Sequence, residues 1–525
     1  MIDISVGDLY DKCTSSFGTR TAIISGKDSF SFQDLRIKSY NLAKHLQNLQ
    51  IVKGNTAAFL MANCAEYLFC EYALAKIGAI RVPLAVLLNN SDHIYMVNKT
   101  KCKILFYHKS LEERVSAMHG NIESIEFFVC IGGDGTLSIN KNQQLINFDS
   151  LIRVTDNGTD LVPVCINGED LASIYFTGGT TGIPKGVMLS HRSWLYTVLI
   201  ETLEFDIRDS EQFLYLTPLT HAGGCLLLPV LLKGGTCFIS NGFNAETFFD
   251  VVRENTITST FLVPSMIYML LDVFKPTNRQ DIESLRNIIY GAAPIALDKI
   301  KEALDKFGLI FTQLFGQTEA PMAITAMTRA DHANASIERL NQILTSAGRP
   351  TFHTKIRFID DEGRDCNSGV PGEILVQCAN MMTGYFADEE TTSKTIIGGW
   401  LHTGDIGIQD EEGFIYIVDR KKDMVISGGF NIYPREIEDV LFEHPEIKNA
   451  AVVGIPDSKW GEQVCGIVTL QDGSRISEFN IIDYVKKRKG SLMAPKSIKF
   501  WSTIPLTNLG KVDKKEIKKL IASGE

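Results

Sequence analysis

The chain of 525 residues is 45% hydrophobic and 22% charged, and carries a net charge of −10. Its length exceeds what one ordinary core organises, so two or more globular domains are expected, and the acid excess argues against a general nucleic-acid binder. The start, MIDISVGDLYDK, has no basic segment followed by an apolar run, and the longest apolar runs stop at about 8–10 residues, short of a membrane span; a cytoplasmic protein with no integral membrane association is expected.

Eleven cysteines lie between Cys13 and Cys465 with no CxxC and no His/Cys cluster. They read as free or buried thiols in a reducing compartment, and structural zinc is not expected. The charge is uneven, net +3 from Lys421 onward and −13 before it. The basic end suits a phosphate-bearing partner, or is simply solvated surface.

Residues 1–165 alternate strand-like and helix-like segments. Ala22–Ser25 and Ser29–Phe32 read as short strands. Leu35, Ser39, Leu42, Leu46 and Leu49 then recur at helical spacing, behind a capping-box-like Ser31 and Asp34. Thr56–Ala62 reads as a buried strand and Glu66–Ile77 as a helix beside it. Such alternation predicts a doubly wound sheet with helices on both faces.

Residues 166–345 repeat the alternation and open on YFTGGTTGIPKGVMLSH, Tyr175 to His191. A β-type run, Ala172–Phe176, enters this stretch, and a helix start near Ser190 ends it. Gly178, Gly179, Gly182 and Gly186 let the backbone turn its N–H groups inward around anionic oxygens. Thr180 and Thr181 add hydroxyl donors, and Lys185 adds a mobile cation. The order is not that of a P-loop, because Pro184 precedes the lysine and Gly186 follows it. Read from its residues it is a loop for polyphosphate, or a flexible glycine loop between a strand and a helix.

The strand-like Gln212–Leu216 leads into TPLTHAGG, which puts His221 outside the carboxyl end of a strand, where it faces a pocket or is a satisfied loop histidine. Ile288–Tyr290 ends in Gly291-Ala292-Ala293-Pro294, small residues that admit a flat ring. Phe311–Leu314 runs into Phe315-Gly316-Gln317-Thr318-Glu319, an aromatic face, a hydroxyl and a carboxylate suited to Mg²⁺ beside phosphates. From about Gly348 to Asp419 short alternating strands predict a small β-rich subdomain. Within it, GWLHTGD carries Asp405, which accepts ribose hydroxyls or forms a turn. The charged Asp419–Asp423 break marks a domain boundary, and residues 421–525 read as a compact α+β unit.

The glycine loop, LTPLTHAGG, YGAAP, FGQTEA, GWLHTGD, DRKKDMVISGGFNIYPREIE and PLTNLGKVDK, in this order, resemble the adenylate-forming superfamily of acyl-CoA ligases, adenylation domains and luciferases. The match covers almost the whole chain. It implies an α/β fold with a large N-terminal domain, 1–420, made of two doubly wound αβ subdomains (about 1–165 and 166–345) and a small β-rich one (346–420). A mobile α+β lid, 421–525, would follow. By the same resemblance Thr177, Gly178, Gly179, Thr180, Thr181 and Lys185 line the ATP phosphates. Gly291, Ala292, Ala293, Pro294 and Phe315 sandwich adenine, and Gly316 and Gln317 belong to the same nucleotide segment. Thr318 touches the α-phosphate, Glu319 holds Mg²⁺, and Asp405 and Arg420 grip the ribose. Lys511 is the mobile catalytic lysine, Lys422 the hinge, and Gly428 and Gly429 lie on the thiol side. His221 is counted with Thr318, Glu319 and Lys511 among the catalytic groups. Three positions depart from the usual pattern or vary within it: Gly179 replaces a common Ser, Phe315 a usual Tyr, and Lys422 is one of two hinge alternatives. None removes a charge that the mechanism needs.

The expected acid pocket is His221, Ala222, Gly223, Gly224, Tyr290, Ala320 and Met322, with no carboxylate or arginine, which disfavours a free amino acid. Gly223 and Gly224 are read as leaving room for a sizeable apolar body. The resemblance therefore implies ATP-dependent activation of a fatty or aromatic carboxylic acid to acyl-AMP, with Mg²⁺, then transfer to coenzyme A. The alternatives are an adenylating enzyme that loads a carrier protein and a catalytically silent nucleotide-binding relative.

Overall fold

The computed structural model describes residues 4–153, 161–177, 183–427, 430–457, 460–507 and 512–523. Two compact units emerge: Met1–Lys355 with Gln377–Leu401, and Ile356–Val376 with His402–Glu525.

The first unit is built on two large mixed sheets. One has nine strands in the order Arg349–Pro350, Ala320–Met327, Phe311–Gln317, Asn287–Tyr290, Ser259–Leu262, Gln212–Tyr215, Thr236–Ile239, Thr21–Ser25 and Asp28–Ser31. It is parallel from Phe311–Gln317 to Thr21–Ser25 and antiparallel at both edges. The other has eight strands in the order Gly384–Tyr385, Lys185–Ser190, Leu171–Thr177, Ile80–Pro83, Thr56–Leu60, Ile104–His108, Phe127–Ile131 and Gln144–Asn147. Continuous apolar runs such as Ile104–Tyr107 and Phe127–Ile131 are buried throughout, as expected of parallel strands covered on both faces.

The local signals behave as their chemistry requires. Ser31 Oγ accepts the Asp34 N–H at 3.0 Å and Asp34 Oδ2 accepts the Ser31 N–H at 2.9 Å, closing a capping box on the helix Phe32–Asn48. Its Leu35, Leu42 and Leu46 are fully buried. The expected division near residue 165 is not that of the sheets. Thr21–Ser25 pairs in parallel with Thr236–Ile239, and the hairpin 171–190 joins the sheet of residues 56–147.

In the second unit, Trp400–Gln409 and Ile415–Arg420 form an antiparallel pair that sets Asp405 opposite Arg420. A second sheet has the order Phe430–Ile432, Val425–Ser427, Gly461–Leu470, Ile447–Asp457, with Ser497–Phe500 alongside Gly461–Leu470. Alternation in Ile447–Asp457 feeds two cores. Ala450 and Val452 meet the helices Pro434–Phe442 and Glu478–Met493, while Ala451 and Val453 meet Lys514–Ser523. No helix among the described residues is long and apolar enough to cross a membrane.

Candidate active site

The strands that flank the glycine loop form a hairpin. Leu171–Thr177 and Lys185–Ser190 pair antiparallel, with Thr177 opposite Lys185, so the segment after the loop is a strand and not a direct helix start. The reason lies in the alternation Val187, Met188, Leu189, of which Val187 and Leu189 are buried. Ser190 then caps the helix His191–Glu204, its Oγ accepting the Ser193 N–H at 3.1 Å. Gly178, Gly179, Thr180, Thr181 and Gly182 lie outside the described residues.

The remaining candidate segments of this unit leave the carboxyl ends of parallel strands in the nine-stranded sheet, where open α/β sheets hold ligands. Thr217–Gly224 follows Gln212–Tyr215, and Gly291–Pro294 follows Asn287–Tyr290. Phe315–Gln317 closes the next strand, and Thr318 and Glu319 form the two-residue turn before Ala320.

The glycines here answer a different need from the one expected. A Cβ on Gly223 would lie 2.6 Å from Thr217 Oγ1, and one on Gly224 would lie 2.1 Å from the Leu219 carbonyl oxygen. They permit a tight turn and do not face open room for an acid. A Cβ on Gly291 would meet the Leu314 carbonyl oxygen at 2.5 Å, so this glycine serves strand packing and not the approach of a ring. On Gly316 it would stand 2.0 Å from the Met322 carbonyl oxygen, at a register shift in the hairpin. Met322 (φ 63°) and Ala292 (φ 66°) both take left-handed backbone without being glycine. Non-glycine residues in that region cost about 1–3 kcal/mol each and cluster at functional sites.

Ala292, Ala293 and Pro294 are exposed, Phe315 to Glu319 are half-buried, and Ala320 and Met322 are buried. The Tyr290 ring is fully buried, edge-on to Phe311 at 6.0 Å, with its hydroxyl 3.2 Å from Gln313 Oε1. His221 is exposed at the start of the short helix Ala222–Cys225.

Three residues outside the motifs organise this unit's site. Asn63, beyond the strand Thr56–Leu60, donates through Nδ2 to the Thr217 and Ser240 carbonyls at 3.0 and 3.1 Å. Its Oδ1 accepts the Leu219 N–H at 2.9 Å, which pins the TPLTHAGG segment. Asn380 donates to the Pro321 carbonyl at 3.0 Å. Tyr385 donates its hydroxyl to Glu319 Oε1 at 2.8 Å, and its ring lies 5.1 Å from the Lys185 ammonium. Burial, and then the Glu319 charge, push the Tyr385 phenol well above its ordinary range, so it remains a donor. Lys185 and Glu319, 134 positions apart in sequence, thus meet on one side chain. Neither Asn63 nor Tyr385 carries a sequence signal of its own, because both partners of each bond are remote.

In the second unit the Arg420 guanidinium pairs with Asp405 at 2.6 Å, Arg420 Nε to Oδ1. The Asp405 N–H donates to Thr403 Oγ1 at 3.1 Å, and Gly404 takes φ 68° within the strand Trp400–Gln409. Asp419 accepts the Arg420 N–H at 2.6 Å and, at the start of the helix Pro434–Phe442, the Arg435 N–H at 2.9 Å. Burial pulls the Lys422 ammonium below its ordinary value. Gly428, Gly429 and Lys511 lie outside the described residues; Leu506 and Val512 on either side of Lys511 pair across an antiparallel bridge. Among the described residues no group of three or more His, Cys, Asp or Glu forms a metal cage, and all eleven cysteines are free.

The AMP-binding enzyme profile matches residues 11–386, and the AMP-binding enzyme C-terminal domain matches 436–511. The chain is 36% identical over 478 residues to the medium/long-chain-fatty-acid–CoA ligase FadD8 of Mycobacterium tuberculosis, covering 89% of this chain and 81% of that one. Among solved structures it resembles the amide bond synthetase McbA of Marinactinospora thermotolerans (TM-score 0.86, 29% identity, 98% and 99% of the two chains). It also resembles the o-succinylbenzoate CoA synthetase MenE of Bacillus subtilis in complex with its acyl-adenylate (TM-score 0.84, 26% identity, 99% of each chain). On its sequence, its two mixed sheets and the ordered motifs they carry, the chain belongs to the AMP-binding enzyme family of adenylate-forming enzymes.

Proposed function

We propose that the chain is an AMP-forming acid–thiol ligase that activates a fatty or aromatic carboxylic acid and transfers it to coenzyme A. The observation that carries this reading is the meeting of Lys185, from the end of the glycine hairpin, with Glu319, from the FGQTE turn, on one buried tyrosine. A cation and a carboxylate so held suit a nucleotide triphosphate that arrives with its metal.

In the first half-reaction a carboxylate oxygen of the acid attacks the α-phosphorus of ATP. The bond to the β-phosphate bridging oxygen breaks, and pyrophosphate leaves. Attacker and target are both anionic, so the site has to neutralise charge and hold the atoms in line. Lys185, Thr177 and the glycine loop would line the phosphates, with Thr318 near the α-phosphate and Lys511 between it and the acid. Glu319 fits Mg²⁺ as one hard carboxylate ligand beside phosphate oxygens, the way Mg²⁺ is usually bound at nucleotide sites. Ala292 to Pro294 and Phe315 would flank adenine. Asp405 and Arg420 would take the ribose, their ion pair orienting the carboxylate. In the second half-reaction the sulfur of coenzyme A attacks the acyl carbonyl carbon, the mixed-anhydride bond breaks, AMP leaves and the thiol proton passes to solvent. Residues 421–525 would act as a lid hinged at Lys422, bringing Gly428 and Gly429 to the thiol side.

The residues of the expected acid pocket, His221 to Gly224, Tyr290, Ala320 and Met322, include no carboxylate or arginine, which favours a hydrophobic acid. Pyrophosphate release across fatty and aromatic acids, with ATP and Mg²⁺, with and without coenzyme A, tests the reading. Turnover that requires coenzyme A supports it and identifies the acid class. Turnover released instead by a carrier protein or by an amine would move the assignment to another acceptor, and no release with any acid would overturn it.

A further inference from the structure

We infer that Tyr385 is a positioning residue for the nucleotide half of this site, holding the Lys185 ammonium against its ring and the Glu319 carboxylate on its hydroxyl so that both charges reach the phosphates as one prearranged pair. The inference rests on the reading of Lys185 and Glu319 given above and adds a residue outside the motif segments named in the sequence.

The ring is fixed from several sides. Tyr385 is 6% exposed and pairs with Val187 in the short strand Gly384–Tyr385. Its N–H donates to Thr392 Oγ1 at 2.9 Å. The surrounding segment ties the two loops together: the Phe386 N–H donates to the Gly186 carbonyl at 2.7 Å, and the Met382 N–H to the Glu319 carbonyl at 2.8 Å. Residues 382–386 therefore bridge the loop end of the hairpin 171–190, at Gly186, and the turn that bears Glu319.

The chemistry of the two contacts explains why a tyrosine suits this place. A direct Lys185–Glu319 ion pair would cancel the charges that a phosphate and a metal need, and none joins them among the described residues. Tyrosine holds each partner without neutralising it. The ring face attracts the ammonium through its quadrupole, and the neutral hydroxyl orients the carboxylate while leaving it negative. Outer-shell donors of this kind fix ligand orientation, and their loss commonly costs about 10–100-fold in metal affinity.

The test is calorimetric binding of α,β-methylene-ATP to the full chain, once with Mg²⁺ and once with EDTA, for the parent, Tyr385→Phe and Tyr385→Leu. The parent arm reports on the functional reading itself: no nucleotide binding there would sink that reading and this inference with it. With a binding parent, Tyr385→Phe should lose about 10-fold or more of the Mg²⁺-dependent gain in affinity, with binding in EDTA unchanged. Tyr385→Leu, which also removes the ring, should weaken binding in EDTA by a further ~2- to 5-fold. In a Glu319→Gln background, Tyr385→Phe should add nothing to the loss of Mg²⁺ dependence. Equal losses with and without Mg²⁺, no loss, full additivity with Glu319→Gln, or failure of Tyr385→Phe to fold would each make the hydroxyl a packing feature and overturn the assignment.

Discussion

Glu201 sits inside the helix His191–Glu204, fully buried, with neither carboxylate oxygen hydrogen-bonded among the described residues. Burial alone pushes its carboxyl well above the ordinary value of 4.5, so the folded chain keeps this acid neutral. The unfolded chain ionises it above that value. There the folded state binds the extra proton, and stability falls as pH rises by about 1.4 kcal/mol per pH unit until the folded carboxyl itself ionises. Glu201→Gln preserves the shape and abolishes the titration. The unit that contains Glu201 has about 380 residues, and at roughly 2.1 cal/mol/K per residue its unfolding entropy is about 0.8 kcal/mol/K. Each pH unit should therefore open a gap of about 2 °C in Tm in favour of the variant. Differential scanning calorimetry of both proteins from about pH 5.5 to 8 reads this directly. A gap that stays constant or narrows as pH rises would refute the neutral-acid argument.

The Arg81 guanidinium is paired with Glu71 in the interior and ringed by Tyr67, Tyr175 and Trp194 at 5.9, 5.6 and 5.3 Å. Glu71→Gln, which strands the arginine, should cost about 3–5 kcal/mol. The pair Glu71→Leu with Arg81→Met should come close to neutral by chemical denaturation, and a double variant as costly as the summed single changes would disprove the coupling. Gly224→Ala forces a methyl onto the Leu219 carbonyl, whereas at Gly120, with φ −67°, a Cβ meets open space. The first should cost at least about 1–3 kcal/mol and weaken the acid KM; the second should shift stability by less than about 1 kcal/mol, and similar effects at both sites would remove the argument from the turn. Lys511→Ala should slow adenylation by about 100-fold or more while sparing thioesterification of supplied acyl-adenylate, which parallel assays of the two half-reactions would contradict if both fell together.

What was legible in the sequence was local. Ser31 and Asp34 cap the helix whose Leu35, Leu42 and Leu46 are buried, and TPLTHAGG, YGAAP and FGQTEA each leave the carboxyl end of a strand, while GWLHTGD runs into the strand Trp400–Gln409. The strand Lys185–Ser190 escaped because its glycine-rich approach and the Ser190 cap mask three residues of alternation. Gly223 and Gly224 were read as space because a sequence does not say where a missing Cβ would point. Asn63 and Tyr385 escaped for a deeper reason. Asn63 reaches Leu219 across 156 positions and Tyr385 reaches Glu319 across 66, and an isolated asparagine or tyrosine carries no trace of a bond so distant.

The exchange of strands between the two sheets of the first unit bears on how this chain is made. Thr21–Ser25 waits for Thr236–Ile239, and the hairpin 171–190 waits for Gly384–Tyr385. At about 5–20 residues per second the ribosome needs some 20–80 s to deliver residue 385. Throughout that time the nascent chain presents unfinished strand edges, which are templates for pairing with other chains. A fragment ending near residue 165 would leave one edge of Thr21–Ser25 and one edge of Ile80–Pro83 unpaired, so biogenesis of this enzyme should depend on chaperone capture more than its size alone would require.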